Sequence, residues 1–460
     1  MVCRSLVWMI AAGFAGWSDL AMAQDGEPAA GLFVRDSLTD GWFGAAADLK
    51  AHGIAVGATE ISEVMGVVAG GAQHGTVYEG RLELDLDADL GAMLDNTVLH
   101  ANAYQIHGRG LSGNYLGGNL QTVSNIEATR ATRLFDMWIE HQALDGALSV
   151  RIGQIAADDE FLISQNAGGF LNATFGWPLI MAQALPSGGP VYPLATPGIR
   201  VKYAINSAVV IQAATFNGDP AGGDPGTSDG QVDPQASNPD GLRFPVDHGP
   251  FVIAELSYSP GTETETNPTT VYKVGFWRQG GRYDDLAVDR NGRSLALPGA
   301  GSPRGHSGDF GGYIVADRQL YRIADDEDRT LSGFLRLAAA PAPRNLVSFY
   351  VDGGLAFKGP FADRPDDLVS LGVSFLQISG AAADLAHAQQ RYAGALSPAP
   401  DFEAVIELDY QFALAPWWSV QPDLQYIFHP TNPPVRPDPA VTIPRIPNAL
   451  VAGLRTSIRF

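Results

Sequence analysis

From Tyr78 to Asp87 the chain changes character at every residue. Tyr78, Gly80, Leu82, Leu84 and Leu86 fall on one face of an extended strand, and Glu79, Arg81, Glu83, Asp85 and Asp87 on the other. The pattern returns along the chain. Ile199, Val201, Tyr203 and Ile205 oppose Arg200, Lys202 and Asn206, and Val252, Ala254, Leu256 and Tyr258 oppose Glu255 and Ser257. Ile406, Leu408, Tyr410 and Phe412 oppose Glu407, Asp409 and Gln411, while Val420, Leu424, Tyr426 and Phe428 oppose Ser419, Gln421, Asp423 and Gln425. A soluble sandwich also alternates. Two features favour a transmembrane antiparallel β-barrel, whose apolar faces meet lipid and whose polar faces line water. The strands run to about ten residues, enough for a tilted strand to cross a bilayer. Aromatics also recur near strand ends, at Trp277, Tyr313, Tyr321, Trp417 and Trp418, as interfacial girdles require.

The last strand is the sharpest. Leu450, Ala452, Leu454, Thr456, Ile458 and Phe460 alternate with Val451, Gly453, Arg455, Ser457 and Arg459. An apolar-alternating strand ending on an aromatic looks like the signal read by the machinery that inserts bacterial outer-membrane barrels. Candidate strands are centred near residues 61, 82, 103, 137, 151, 202, 212, 255, 274, 315, 334, 351, 373, 407, 423 and 455. They make an even set of sixteen, with both ends periplasmic. Long outer loops are expected at 156–197, 217–250, 279–309, 379–401 and 429–448. Short periplasmic turns are expected at Leu144-Asp145-Gly146, Asn206-Ser207 and Leu414 to Trp417. The brief outer connections at Gly70-Gly71 and Pro341 to Arg344 fit that alternation less well.

The N-terminus reads as an address. Arg4, the apolar stretch Leu6 to Trp17 and Ala21-Met22-Ala23 before Gln24 have the form of a cleaved signal peptide, residues 1–23. Residues 24–53 form a periplasmic segment in which Leu38 to Gly53 reads as a short amphipathic helix, capped by Asp36 or Thr39 and stopped by Gly53. The barrel occupies 54–460. Composition sharpens this. The 460 residues carry 29 basic and 50 acidic side chains, a net charge of −21, so nucleic acid is not a partner. The single cysteine, Cys3, lies in the signal peptide and leaves no disulfide or thiolate site.

Catalytic motifs fail, so no enzyme and no cofactor is expected. There is no G-x-S-x-G elbow, Walker A loop or H-E-x-x-H. Asp85-x-Asp87-x-Asp89 opens like a calcium loop, but Leu90 stands where Gly is required and Asn96 where Glu is. Asp158-Asp159-Glu160 is the best cluster of paired acids, yet sequence neighbours rarely face each other across a scissile bond. A secreted carbohydrate-degrading enzyme is therefore the weaker alternative.

With these elements in place, particular strings carry a resemblance. They include Ser37-Leu38-Thr39-Asp40-Gly41-Trp42-Phe43-Gly44, Val77-Tyr78-Glu79-Gly80, Gln105-Ile106-His107-Gly108-Arg109 and Arg133-Leu134-Phe135-Asp136-Met137-Trp138-Ile139-Glu140. Arg151-Ile152-Gly153-Gln154, Asp158-Asp159-Glu160-Phe161, Phe175-Gly176-Trp177-Pro178, Phe216 to Pro220, Tyr350 to Gly354 and Trp417 to Tyr426 follow. Together the chain resembles the carbohydrate-selective porins of the OprB type. The resemblance implies a sixteen-stranded outer-membrane barrel that passes monosaccharides such as glucose, or polyols, passively. Its partners are then small sugars and outer-membrane lipid, with a homotrimer left open. The segment Pro430 to Pro447 departs from the family in being Pro-rich where the final loop is usually Gly-rich. A general or ion-selective porin is the alternative, and the negative charge would favour cations.

A sixteen-stranded lumen is too wide to select a monosaccharide unless something folds inward. The third outer loop, 156–197, has the length. Parity turns Arg151 inward, and likewise Asp136 and Glu140, whereas Arg133 shares parity with Phe135 and Met137. The expected constriction comprises Arg151, Glu160, Asp159, Asp158, Glu140, Arg109 and Trp177. Arg forks and carboxylates there can satisfy sugar hydroxyls, and the Trp177 ring can lie against a sugar's apolar face. The same charges would equally serve as a salt-bridged network holding the loop down.

Overall fold

The computed structural model describes residues 32–117, 119–222, 233–260, 270–323, 326–393, 399–431 and 445–460. The expected signal peptide and most of the Pro-rich segment lie outside these residues. Sixteen strands are present among the described residues: β1 (Ile54–Ala69), β2 (Gly75–Asp89), β3 (Thr97–Gly108), β4 (Ala131–Ala143), β5 (Leu148–Ile155), β6 (Thr196–Ala204), β7 (Val209–Phe216) and β8 (Phe251–Tyr258) in the first half. The second half holds β9 (Thr270–Asp289), β10 (Pro303–Ile323), β11 (Asp326–Ala339), β12 (Val347–Lys358), β13 (Leu368–Ile378), β14 (Phe402–Ala415), β15 (Trp418–Phe428) and β16 (Ala449–Arg459). Each pairs antiparallel with its sequence neighbours, and β16 returns to β1, so every backbone edge is closed. Closure is what a bilayer demands of a sheet, because lipid offers no partner to an open edge.

Connections alternate in length around the barrel as expected. Turns at the end carrying both termini are short, such as 144–147 and 205–208, and the opposite end carries 109–130, 156–195, 217–250, 379–401 and 429–448. The Gly70 turn is a true short connection. A Cβ on Gly70 would stand 1.7 Å from the Asn448 carbonyl oxygen, and its φ of +69° is left-handed, so only Gly fits. The outward face is apolar over most of its area, with Leu84, Ile152, Val201, Leu256, Leu408 and Leu454 exposed. One polar patch interrupts it. Tyr78 hydroxyl lies 3.1 Å from both Ser62 Oγ and His107 Nε2, and Glu60 lies 3.4 Å from the same His nitrogen.

Four expectations need correction. The 279–309 loop is mostly strand: β9 and β10 stay paired out to Asp289 and Pro303, so the hairpin projects beyond the barrel. The helix over Leu38 to Gly53 is broken. Thr39 does cap, accepting from Trp42 N–H at 3.0 Å, but Asp40, Gly41, Trp42 and Phe43 all have positive φ, and the regular helix is only Ala45–Ala51. Trp277 and Tyr313 are not girdle residues. Both are buried inside the barrel, where an apolar loop needs an apolar wall, while Tyr321 is exposed. Finally, the β3–β4 register slips at Phe135 (Asn102 pairs Asp136, Ala103 pairs Leu134), so Arg133 and Asp136 both become buried despite their opposite parity.

Candidate functional site

The third loop, 156–195, begins where the Ala157 N–H donates to the Pro190 carbonyl at 2.6 Å, drawing its two ends together. Its apolar residues Phe161, Leu162, Ile180 and Met181 then bury against inward-facing Phe251, Ile253, Trp277, Tyr313 and Tyr350. This packing explains why the wall from β7 to β13 carries apolar residues on both faces. Polar pins fix the loop's path. Leu162 N–H donates to Glu255 at 3.1 Å, Asn166 Nδ2 to Asp317 at 3.0 Å, and Asn172 N–H to Glu407 at 3.0 Å. Arg336 is fully buried, bonds Asp352, and donates to the carbonyls of Leu162, Thr174, Phe175 and Gly176 at 2.8 to 3.2 Å. The loop crosses the lumen from β5 to β15.

A second loop, not among the expected long outer loops, turns inward as well. Residues 109–130 also enter the barrel, where Leu120 and Gln121 N–H groups donate to Glu403 at 3.0 and 2.7 Å. The two loops bond each other through Asn125 N–H to Leu171 carbonyl and Ala173 N–H to Thr122 carbonyl, at 2.7 and 2.9 Å. A stretch of Gly, Asn and Ser without periodicity signals a loop but not which way it folds.

Where the third loop lies against β4, β5 and β6, wall and loop meet through charge. β4 sets Glu140 opposite Arg151 of β5, and β5 sets Arg151 opposite Arg200 of β6. Arg151 Nε donates to Glu140 Oε2 at 2.8 Å, and Arg151 Nη1 reaches Glu160 Oε1 at 3.1 Å. Arg200 Nη2 donates to the same two oxygens, at 2.7 and 2.8 Å. Two carboxylates thus share two guanidiniums in a closed ring. Like charges on Arg151 and Arg200 face each other across the strands, and only the interleaved carboxylates make that pairing tolerable. Arg200 is sealed at 2 % side-chain exposure, whereas Arg151 and Glu140 keep 14 % and 15 %. Trp138 lies under Arg151, its ring 3.6 Å from the guanidinium carbon, and stacks on His100 at 4.7 Å. That ring holds a guanidinium in place.

Burial raises the Glu160 carboxyl, but Arg151, Arg200 and Lys202 together overcome it and hold the group below the ordinary 4.5. Burial pushes Asp158 up to about 6 despite its bond from Tyr192 N–H at 3.3 Å. Asp159 is exposed, next to that pair. Of the expected residues, the structure therefore assembles Arg151, Glu140 and Glu160, with Asp158 and Asp159 adjoining. It moves two away. Arg109 is exposed beyond the end of β3, where its N–H bonds the Tyr78 carbonyl. Trp177 is buried in the apolar core under the loop, so its face is closed to a solute. Arg200 stands on the polar face of the period-two pattern, but cross-strand pairing is not written along one strand, so its partners Glu140 and Glu160 are not legible there.

Comparison with known proteins agrees with the barrel fold. Residues 73–460 match the family described as carbohydrate-selective porin, OprB family. Porin B of Pseudomonas aeruginosa is 25 % identical over 404 residues, covering 83 % of this chain and 82 % of that one. A putative porin, QuiX, of Acinetobacter baylyi is 22 % identical over 460 residues, covering 93 % of each. The high-pH structure of Pseudomonas putida OprB superposes with a TM-score of 0.81 at 25 % identity, covering 93 % of this chain and 99 % of that one.

Proposed function

The chain belongs to the carbohydrate-selective porin family, the OprB family, and from that premise we propose that monosaccharides such as glucose cross it at the ring of Glu140, Arg151, Glu160 and Arg200. It is an outer-membrane channel for passive diffusion, and not an enzyme. The observation that supports this site is the division of labour within the ring. Glu160 and Arg200 are buried and join the loop to the wall, while Arg151 and Glu140 remain open to solute. Hydroxyls of a passing sugar exchange for water on Arg151, Glu140 and the neighbouring Asp159, none of which offers the apolar pocket that would trap it. Salt-bridged anchor and sugar contact are then two faces of one network. Because the ring is charge-balanced, it does not oppose a neutral solute, and the bias against anions comes from the chain's net charge of −21. Export through a signal peptide at 1–23 and insertion through the strand ending in Phe460 complete this reading.

Liposome swelling tests it. Glucose is expected to enter at least about five-fold faster than a disaccharide, and faster than a sugar acid of similar size. Rates that follow molecular size alone would make the channel a general porin.

A further inference from the structure

Where the third loop returns across the lumen, it meets a crowd of carboxylates remote from the ring. Glu407 and Asp409 of β14 and Asp423 of β15 each place an oxygen within 4.8 Å of the others, and all three are buried. The register sets Asp409 directly opposite Asp423, an unfavourable pairing of like charges. The nearby cation, Arg455, is already committed to Glu63 by a short ion pair. Neutral donors serve some oxygens: Leu171 and Asn172 N–H groups bond Glu407 at 2.5 to 3.2 Å, and Gln421 Nε2 bonds Asp409 Oδ1 at 2.9 Å. Gln425 Nε2 reaches Asp423 at 3.2 Å. Asp409 Oδ2 is buried and has no hydrogen-bond partner.

A residue outside the acidic group points the same way. Ser370 of β13 is opposite Asp409 in the β13–β14 register and has 0 % exposure, and its buried Oγ also has no partner. The loop roofs this spot. A Cβ on Gly169 would fall 2.2 Å from Ser370 Oγ, and the Gly169 carbonyl accepts from Gln421 Nε2 at 2.9 Å.

We propose that Glu407, Asp409, Asp423 and Ser370 form a calcium site that fastens the third loop to β13, β14 and β15. The donors are all hard oxygens, contributed by three neighbouring strands. Ca2+ accepts six to eight such ligands at about 2.3–2.6 Å with variable geometry, whereas Mg2+ insists on a near-ideal octahedron and sheds water reluctantly. Two positive charges offset the excess of carboxylates, and Glu407 passes the ion's hold to the loop through Leu171 and Asn172. The competing way to relieve the charge is a proton shared between Glu407 and Asp409.

Calorimetric titration of the purified, folded and EDTA-stripped protein with CaCl2, and separately with MgCl2, at neutral pH distinguishes the two. One Ca2+ per barrel is expected, with Mg2+ binding at least about ten-fold more weakly. The double variant Asp409→Asn/Asp423→Asn should lose at least about ten-fold in calcium affinity while still showing heat-modifiable migration as a folded barrel. Ser370→Ala, which leaves every charge in place, should weaken binding about three-fold or more and serves if the double variant does not fold. No stoichiometric calcium binding by the unaltered protein up to about 1 mM overturns the proposal in favour of the shared proton. Undiminished binding by either folded variant places the ion elsewhere and overturns it too.

Discussion

Glu160 ties the third loop to the wall, because it is the loop's own contribution to the charged ring. Its removal leaves Arg200 buried with Glu140 as its remaining carboxylate, a loss of about 1.5–3 kcal/mol for a charged hydrogen bond. Glu160→Gln should therefore leave the barrel folded and make the current through it noisier. The pH dependence has a definite sign. A carboxyl held below 4.5 contributes its stabilisation fully above that value, and loses it as pH falls through the lower folded value. Open-channel noise should stay level from neutral pH to about 5 and rise only in stronger acid, and Glu160→Gln should abolish that rise. Asp158, pushed up to about 6, sheds its charge earlier and should lower cation preference without added noise. A noise step near pH 6 that survives Glu160→Gln would contradict this assignment. At this scale the sequence was informative where parity and chain proximity sufficed, as for Arg151, Glu140 and Glu160. It misled where a third dimension decided: Trp177 turned into the core, and a one-residue bulge at Phe135 turned Arg133 inward.

Among the elements, the strands were legible and the inward loops only half so. Period two marks a strand whenever its two faces meet different media, and that holds on the side of β1 to β6. From β7 to β13 the loop supplies an apolar partner inside, so both faces turn apolar and Trp277 and Tyr313 pass for girdle residues. Direction of folding is likewise absent from a loop's composition, and nothing in the sequence of 109–130 marks it as turning inward. Arg336 is the loop's most heavily used pin. Arg336→Met strips four loop carbonyls of their donor and leaves Asp352 buried without its guanidinium, a cost of about 3–5 kcal/mol. The barrel, with its closed ladder, should survive. The expected outcome is a larger and more variable single-channel conductance in planar bilayers, with folding checked by heat-modifiable gel migration. A folded variant with unaltered conductance would show that the apolar packing alone holds the loop.

For the whole molecule, the closed ladder of sixteen strands and the alternation of short and long connections followed from alternation and turn chemistry, since a one-residue slip anywhere would turn an apolar face to water. On the function proposed above, the selectivity of the channel rests on a few side chains where the third loop meets β4, β5 and β6. Block of single-channel current by glucose, measured in planar bilayers for the unaltered protein, Arg151→Ala and Arg109→Ala, tests that claim most directly. Glucose should reduce the current through the unaltered channel and through Arg109→Ala to the same degree, and Arg151→Ala should weaken the block at least about five-fold in half-blocking concentration. Equal block in all three channels would place the sugar's path elsewhere and contradict the account.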